Sequence, residues 1–183
     1  PVGFDTGAAI LAEHAVSILG PRPTQRNTRI MVTMPSEAAT DVQLIRDLLH
    51  ALASMGHGDT IAVVDANFPA TATGRRVVEA PGASAPEMLD AVLTVLPLDP
   101  YVAPAAVTME VVGDPAAVPE PVADFAAVFT EHGLGDWEIG HLAREAFYVA
   151  ARAAFVVVRT GELRPYGNIL LVKGVINRYE PRR

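Results

Sequence analysis

The sequence predicts an α/β fold, a single domain in which a sheet is covered by helices on both faces. Short apolar runs of strand length alternate with stretches whose apolar residues recur at helical spacing. The 183 residues suffice for one domain with a substantial core. Hydrophobic residues make up 50% of the chain but aromatic residues only 6%, so small and aliphatic side chains must fill most of that core.

The first part of the chain is predicted to be an extension separate from the main domain. Helical spacing of apolar residues runs over Thr6–Leu19 and stops at Gly20-Pro21. A Pro- and Arg-bearing linker follows, and Ile30–Met34 has the composition of a short strand. The expected division is an N-terminal helical extension of unknown role over residues 1–34 and a main domain over residues 35–183.

The main domain is predicted to begin with a helix and a buried strand. The helix starts near Asp41, with Thr40 or Asp41 as its cap, and Gly56 is expected to end it in a left-handed conformation. One face of this helix is apolar, formed by Leu44, Ile45, Leu48, Leu49 and Leu52. The β-branched run Thr60–Val64, bounded by aspartates on both sides, is typical of a buried strand.

Further helices and strands alternate to the end of the domain. The segment Ser84-Ala85-Pro86-Glu87 is a capping-box pattern and predicts a helix that contains Leu89, Val92, Leu93 and Leu96. A second helix is predicted before Gly133, and a third over Ala143–Ala153. The strands are expected at Val107–Val112, Phe155–Arg159 and Ile169–Val172, the last two joined by a hairpin-like connection.

Composition excludes several classes of function. The formal net charge is −7, and 13 of the 14 basic residues are arginines scattered along the chain, which argues against nucleic acid as a partner. The absence of cysteine removes disulfides and thiolate chemistry, and it fits a cytoplasmic protein. No apolar run is long enough to cross a membrane, and no basic cluster precedes the first apolar stretch, so neither a membrane span nor a signal peptide is predicted.

The common catalytic motifs are absent. The sequence has no phosphate-binding glycine-rich loop, no His-Glu-x-x-His and no Gly-x-Ser-x-Gly, and no two of its five histidines have a convincing metal-ligand spacing. We therefore predict neither a metal nor a cofactor.

Polar residues instead lie at the ends of predicted strands, where sites in α/β folds usually gather. His57 stands between two glycines before the strand Thr60–Val64, and Asp65 follows that strand. A strand of five residues is about 17 Å long, so these two side chains meet only if the chain folds back. Taken singly, His57 is better explained as a helix C-terminal residue stabilised by the helix dipole. Asp65 taken singly is equally explained as the cap of the next turn.

Two further groups have ordinary structural interpretations when taken alone. The segment Tyr166-Gly167-Asn168 is a good turn, and Arg144 on a helix is most often a solvated charge.

Together, however, a set of short segments resembles the ribose pyranase/fucose mutarotase family, and more closely its fucose branch. They occur in the family's order with similar gaps, over roughly Asp41 to Val175. The segments are Met55-Gly56-His57-Gly58-Asp59, Asp65-Ala66-Asn67-Phe68-Pro69, Leu96-Pro97-Leu98-Asp99, Ala146-Phe147-Tyr148, Thr160-Gly161-Glu162, and Tyr166-Gly167-Asn168-Ile169-Leu170-Leu171 with Lys173-Gly174-Val175.

The resemblance implies a three-layer fold with a mixed sheet and a mutarotase that interconverts the anomers of a free sugar without cofactor or metal. It implies that His57 is the catalytic proton donor. It also implies a homo-oligomer, in rings or dimers, with sites near subunit boundaries. The residues that it implies for substrate binding are Asp65, Arg144, Tyr166, Gly167 and Asn168.

The resemblance also orders the candidate functions. Gly58 and the Asn67-Phe68-Pro69 turn resemble the fucose type, so L-fucose is preferred over D-ribose as the sugar. A histidine can act as both acid and base near neutrality, as ring opening and closure require. Asp65 is expected to fix the imidazole tautomer or to hold a sugar hydroxyl. The alternatives are a D-ribose pyranase, a non-catalytic sugar-binding or regulatory module, and a purely structural ring-forming protein.

Two features depart from the family pattern. Val149-Ala150-Ala151 replaces an acidic-basic stretch after the Phe-Tyr pair, and residues 1–34 have no counterpart.

Overall fold

The structure, a computed structural model, describes residues 38–176 of the chain and the side chains of residues 42–176. The predicted helix Thr6–Leu19 and strand Ile30–Met34 lie outside this range, so the division into residues 1–34 and 35–183 stays a prediction. Helices and strands interleave as expected: α1 Ala38–Ser54, β1 Thr60–Val64, α2 Ala70–Thr73, β2 Val77–Ala80, α3 Ala85–Val95, β3 Ala106–Met109, α4 Glu120–Glu131, β4 Ile139–Leu142, α5 Arg144–Ala153, β5 Val156–Thr160 and β6 Ile169–Val172.

The six strands form one mixed sheet in the order β2-β5-β1-β6-β3-β4. The pairs β1–β5, β2–β5 and β3–β4 are parallel, whereas β6 runs antiparallel to both of its neighbours. At the centre of the sheet, Ala62 lies between Val157 of β5 and Leu170 of β6. The antiparallel β6 therefore brings its amino end to the carboxyl ends of all the other strands.

Helices cover both faces of the sheet, as predicted. Alternate residues of β1 point to opposite faces: Ile61 and Val63 join the core under α1, α3 and α4, while Ala62 and Val64 join the core under α2 and α5. All four side chains are fully buried. A strand buried on both faces needs a continuous apolar run, which explains why the pattern Thr60–Val64 was recognisable.

Local signals set the helix boundaries. Ser84 caps α3 with both bonds of the capping box, since its side chain accepts from the Glu87 N–H while the Glu87 carboxylate accepts from the Ser84 N–H. Gly133, with a φ of +72°, ends the turn after α4, as the sequence predicted.

Several local expectations are wrong. β5 and β6 do not form a hairpin, because β1 lies between them. Gly58, with a φ of +83°, is left-handed after α1, rather than Gly56. The helix α1 already includes Thr40 and Asp41, so neither residue is its cap.

No helix in the described range of residues 38–176 is both long and apolar enough to cross a membrane.

Candidate active site

Polar side chains from four strands lie together at one edge of the sheet, the edge formed by the carboxyl ends of all strands except β6. Asp65 follows β1 and Glu162 follows β5, while Asn168 directly precedes the antiparallel β6. Arg144 opens α5 just after β4, at the same edge. In open α/β sheets ligands bind outside the carboxyl ends of the strands, and this edge has that character.

Asp65 and Asn168 hold each other through two hydrogen bonds. The Asn168 Nδ2 donates to Asp65 Oδ2 at 2.7 Å, and the Asp65 backbone N–H donates to Asn168 Oδ1 at 3.0 Å. The Asn67 N–H donates to the other carboxylate oxygen at 2.9 Å. Both side chains are buried, so the pair is fixed in place and each carboxylate oxygen keeps a lone pair for a ligand hydroxyl.

The environment of Asp65 changes its acidity. Burial raises the pKa of its carboxyl above the ordinary value, because removal from water disfavours the charged form. The hydrogen bonds from Asn168 and from the backbone at Asn67 oppose this effect by favouring the carboxylate. The net upward shift means that this carboxyl takes up a proton at a higher pH than an exposed aspartate does.

The loop that carries Tyr166 and Asn168 is held by an ion pair between the buried Glu162 and the partly exposed Arg164. Glu162 accepts from three nitrogens of Arg164, at 2.8–3.0 Å, and Arg164 also donates to Glu120 and Asp124 of α4 at 2.9 Å. The hydrogen bonds from Arg164 lower the pKa of the Glu162 carboxyl, although its burial acts in the opposite direction. Gly167 lies against the same side chain, since a Cβ there would be 2.7 Å from Glu162 Cγ. The loop is therefore anchored to α4.

Among the described residues that are not glycine, only Tyr166 has a positive φ, at 64°. This left-handed conformation is rare and costly for an aromatic residue, and such residues concentrate at functional sites. The Tyr166 hydroxyl accepts a hydrogen bond from the Val112 N–H at 3.3 Å, which fixes the direction of the ring.

These groups line a cleft of about 270 Å³ that has a polar side and an aromatic side. Arg144 stands over the Tyr148 ring, 5.6 Å from its centroid, and the Phe68 and Tyr148 centroids are 5.2 Å apart. A carboxylate, an amide, a guanidinium and aromatic rings together suit a small ligand that is rich in hydroxyls but has one apolar part. The lining residues are Asp65, Asn67, Phe68, Met109, Arg144, Tyr148, Pro165, Tyr166 and Asn168.

His57 lies at the opposite edge of the sheet. It precedes the first residue of β1, whereas Asp65 follows the last, and it does not line the cleft. Its Nε2 lies 2.7 Å from Asp99 Oδ2, and its ring packs edge-on against Tyr101. Within the chain the carboxylate that contacts the imidazole is therefore Asp99, and the chain does not fold back to join His57 to Asp65.

The structure thus brings together four of the six candidate residues, namely Asp65, Arg144, Tyr166 and Asn168. Gly167 lies in the same loop but is not among the lining residues, and His57 is remote. Sequence reasoning assigned no substrate contact to Phe68, Met109 or Tyr148. Phe68 and Tyr148 stood only in segments that carry the family resemblance, and Met109 stood only in an apolar segment. In the described range no group of three or more His, Cys, Asp or Glu side chains is placed to hold a metal ion.

The chain is similar to known proteins in both sequence and fold. The chain is 41% identical over 136 residues to the fucose mutarotase of Bos taurus, and the match covers 71% of this chain and 88% of the bovine protein. The crystal structure of the fucose mutarotase of Streptococcus pneumoniae in complex with L-fucose superposes with a TM-score of 0.67 at 39% identity, covering 72% of this chain and 93% of that one.

A more distant structure shares the fold. Bacillus subtilis RbsD complexed with D-ribose superposes with a TM-score of 0.56 at 23% identity, covering 79% of this chain and 100% of that one. This likeness confirms the three-layer fold with a mixed sheet.

Residues 40–176 match the RbsD / FucU transport protein family, which is the ribose pyranase/fucose mutarotase family that the ordered segments predicted. The segments that carry the resemblance, from Met55-Gly56-His57-Gly58-Asp59 to Lys173-Gly174-Val175, all fall within this match. The chain belongs to the RbsD / FucU family.

Proposed function

We propose that this protein is a mutarotase that interconverts the anomers of L-fucose. The observation that carries the proposal is the cleft at the carboxyl edge of the sheet, which combines the fixed Asp65–Asn168 pair with Arg144 and a wall of aromatic rings. Relatives from Bos taurus and Homo sapiens that are 41% and 40% identical to the chain are named fucose mutarotases. The more distant ribose-bound relative supports the fold alone, so ribose is the second choice.

The contents of the cleft suit a 6-deoxy sugar. Asp65 accepts from a sugar hydroxyl, and Arg144 and the Asn168 amide supply donors and acceptors to its neighbours. The methyl group of fucose packs on the apolar side formed by Phe68, Tyr148 and Met109. Ribose lacks that methyl group, so it buries less apolar surface in the same cleft.

Mutarotation needs only proton transfer. The anomeric hydroxyl loses a proton and the ring oxygen gains one as the C1–O5 bond breaks, which leaves a free aldehyde and a new hydroxyl. Rotation about C1–C2 and closure in the reverse sense give the other anomer. The reaction therefore needs a positioned acid/base group, which we assign to His57, and no cofactor.

The catalytic histidine reaches the cleft from a second copy of the chain. His57 and Asp65 lie at opposite ends of β1, which is about 17 Å long, so one copy does not hold both groups at one sugar. His57 is half-exposed and stands beside Tyr101, whose exposure is 74%. An exposed histidine with an exposed aromatic neighbour is suited to enter a neighbour's cleft, and the protein accordingly works as a homo-oligomer.

Complementation between two inactive variants tests the shared site. His57→Ala and Arg144→Ala copies are each expected to be inactive, whereas co-expression restores about a quarter of the sites in a random mixture, because each restored site takes its histidine and its cleft from different copies. The anomer exchange rate of the purified mixture measures this recovery. No recovery from a folded, mixed oligomer would show that each copy contains its whole site.

Saturation-transfer proton NMR tests the function itself. With the protein present, saturation of one anomeric proton of L-fucose is expected to appear at the other anomeric proton, and more weakly with D-ribose. Faster exchange with ribose would make the protein a ribose pyranase. Binding of fucose by calorimetry without any exchange would instead show a non-catalytic sugar-binding module.

Sugar binding should weaken with acid because of Asp65. Its raised pKa means that the carboxylate is lost, and affinity for fucose falls, at a higher pH than for an ordinary aspartate with a pKa of 3.8. The effect on stability has the opposite sign. The stabilisation that comes from protonating Asp65 is complete below the ordinary pKa of 3.8 that it has in the unfolded chain. It is lost as the pH rises through the raised pKa of the folded protein.

Calorimetric titrations of fucose at several pH values measure the effect on affinity. The Asp65→Asn variant, which has no proton to gain, is the control, and its weaker binding should vary less with pH. Equal slopes in the two proteins would contradict the assignment.

A further inference from the structure

The helix α1 is apolar over a wider part of its surface than the sheet covers. Leu48 and Leu52 are buried in the core under α1, α3 and α4. Val42 and Ile45, each 48% exposed, and Leu49, 38% exposed, remain on the outside. Their spacing of three and four residues places them in one line along the helix. These three residues are called the α1 stripe below.

The rest of the outer surface of α1 is polar and makes its own hydrogen bonds. Gln43 and Arg46 both donate to the Asp47 carboxylate, and the Ser54 hydroxyl donates to the His50 carbonyl. A helix face that stays in water is normally polar in this way. A line of three large aliphatic side chains beside it therefore indicates a surface that packs against another apolar surface.

The chain has an apolar segment of its own directly before α1. Thirty-seven residues precede Ala38, the first residue of the helix. Within them the sequence predicts a helix over Thr6–Leu19 with an apolar side, and a helix of this length is only marginally stable in water without a packing partner. The family match begins at residue 40, so this segment is additional to the shared domain.

The predicted helix and the α1 stripe have matching spacing. Leu11 and Ile18 are seven residues apart, as are Val42 and Leu49. Seven residues make about two helical turns, or about 10.5 Å. In an antiparallel pair, Leu11 therefore lies opposite Leu49 when Ile18 lies opposite Val42. Residues 20–37 join the two helices, and a short connection favours antiparallel neighbours.

We propose that the α1 stripe is the docking surface for the predicted helix Thr6–Leu19 of the same chain, packed antiparallel to α1. A second copy of the chain is the other candidate occupant, but three side chains fall far short of the roughly 800 Å² per partner that a stable interface buries. A tethered segment needs less contact area, because its effective concentration is of about millimolar order. Docking of this helix does not depend on the proposed sugar chemistry.

Paired cysteines test the docking in the full chain. The sequence contains no cysteine, so the only thiols are the engineered ones. A disulfide requires Cα atoms within about 7 Å of each other. Leu11→Cys with Leu49→Cys should therefore form a disulfide within one chain at least about tenfold faster than Leu11→Cys with His50→Cys. His50 is the matched control position, since it is exposed on the polar side of α1.

Non-reducing electrophoresis and peptide mass mapping show which thiols are joined and whether they belong to one chain. A disulfide that joins Leu11→Cys of one chain to Leu49→Cys of another would assign the α1 stripe to a second copy. Equal rates in the two pairs, or no disulfide in either, would show that the segment has no preferred position on α1. Each of these results would overturn the proposal.

Amide hydrogen exchange gives a second test in the protein without engineered thiols. Backbone amides of residues 10–18 should exchange at least about tenfold more slowly than those of residues 24–29, because a docked helix must open before it exchanges. Ile45→Asp should abolish this protection, whereas His50→Asp places the same charge on the polar side of α1 and should preserve it. Fast exchange of residues 10–18 in the wild type, or protection that survives Ile45→Asp, would contradict docking on the α1 stripe.

Discussion

Replacing His57 with alanine is expected to slow anomer exchange by about 10²–10⁴-fold, which is the usual contribution of a positioned acid/base group. Fucose affinity should change little, because the cleft that holds the sugar is built from Asp65, Arg144 and Asn168. The rate measured by saturation transfer and the dissociation constant measured by calorimetry separate these two effects.

The alanine variant also removes the partner of a buried carboxylate, so a second substitution is needed to isolate the chemistry. His57→Gln keeps an N–H donor for Asp99 but has no basic nitrogen, and it should lose as much activity as the alanine variant. His50→Ala, at an exposed position of α1, is the matched control and should leave exchange unaffected. Full activity in His57→Gln would remove His57 from the mechanism.

The sequence pattern predicted the centre of the sheet better than its edges. The run Thr60–Val64 is buried on both faces and was bounded correctly, as was Ile169–Val172. The strands β2 and β4 lie at the two edges and have only four residues each, partly exposed, so their apolar pattern is too short to recognise. The order of the strands could not be predicted for another reason. The position of β1 between β5 and β6 depends on pairing between strands that are far apart in the sequence, and no local pattern records it.

The sequence likewise predicted one part of the candidate site, the residues of the cleft, but not the contact between His57 and Asp99. Residue types at strand ends pointed to Asp65, and the family resemblance added Arg144, Tyr166 and Asn168, which the structure places around one cleft. The contact between His57 and Asp99 joins residues 42 positions apart in the chain. No local spacing signals such a pair, because it arises where the loop after α3 meets the segment before β1.

The second large effect is expected at Gly161, where the chain leaves β5 toward the cleft. A Cβ at this position would lie 2.1 Å from the Pro81 carbonyl oxygen and 3.0 Å from its carbonyl carbon. Both atoms belong to the backbone of the turn after β2, and the Gly161 N–H also donates to the Ala83 carbonyl of that turn at 2.8 Å. Neither segment can therefore withdraw without breaking that bond.

Gly161→Ala should therefore lower the free energy of unfolding by about 3 kcal/mol, the upper part of the range for overpacking. The displaced backbone leads directly into Glu162, which accepts the Ala66 N–H at 2.9 Å and anchors Arg164, so the variant should also bind fucose more weakly. Denaturant unfolding measures the stability and calorimetry measures the affinity. The shape of the cleft thus depends on a glycine that does not line it.

Gly82→Ala is the matched control, because it places the same methyl group in the neighbouring turn. A Cβ at Gly82 meets nothing within 4 Å, and the residue has no positive φ. Its stability should change by less than about 1 kcal/mol, and a small gain is expected from the reduced entropy of the unfolded chain. Equal losses in the two variants would show that the close approach to Pro81 is not what requires glycine at position 161, and that the turn tolerates no side chain at either place.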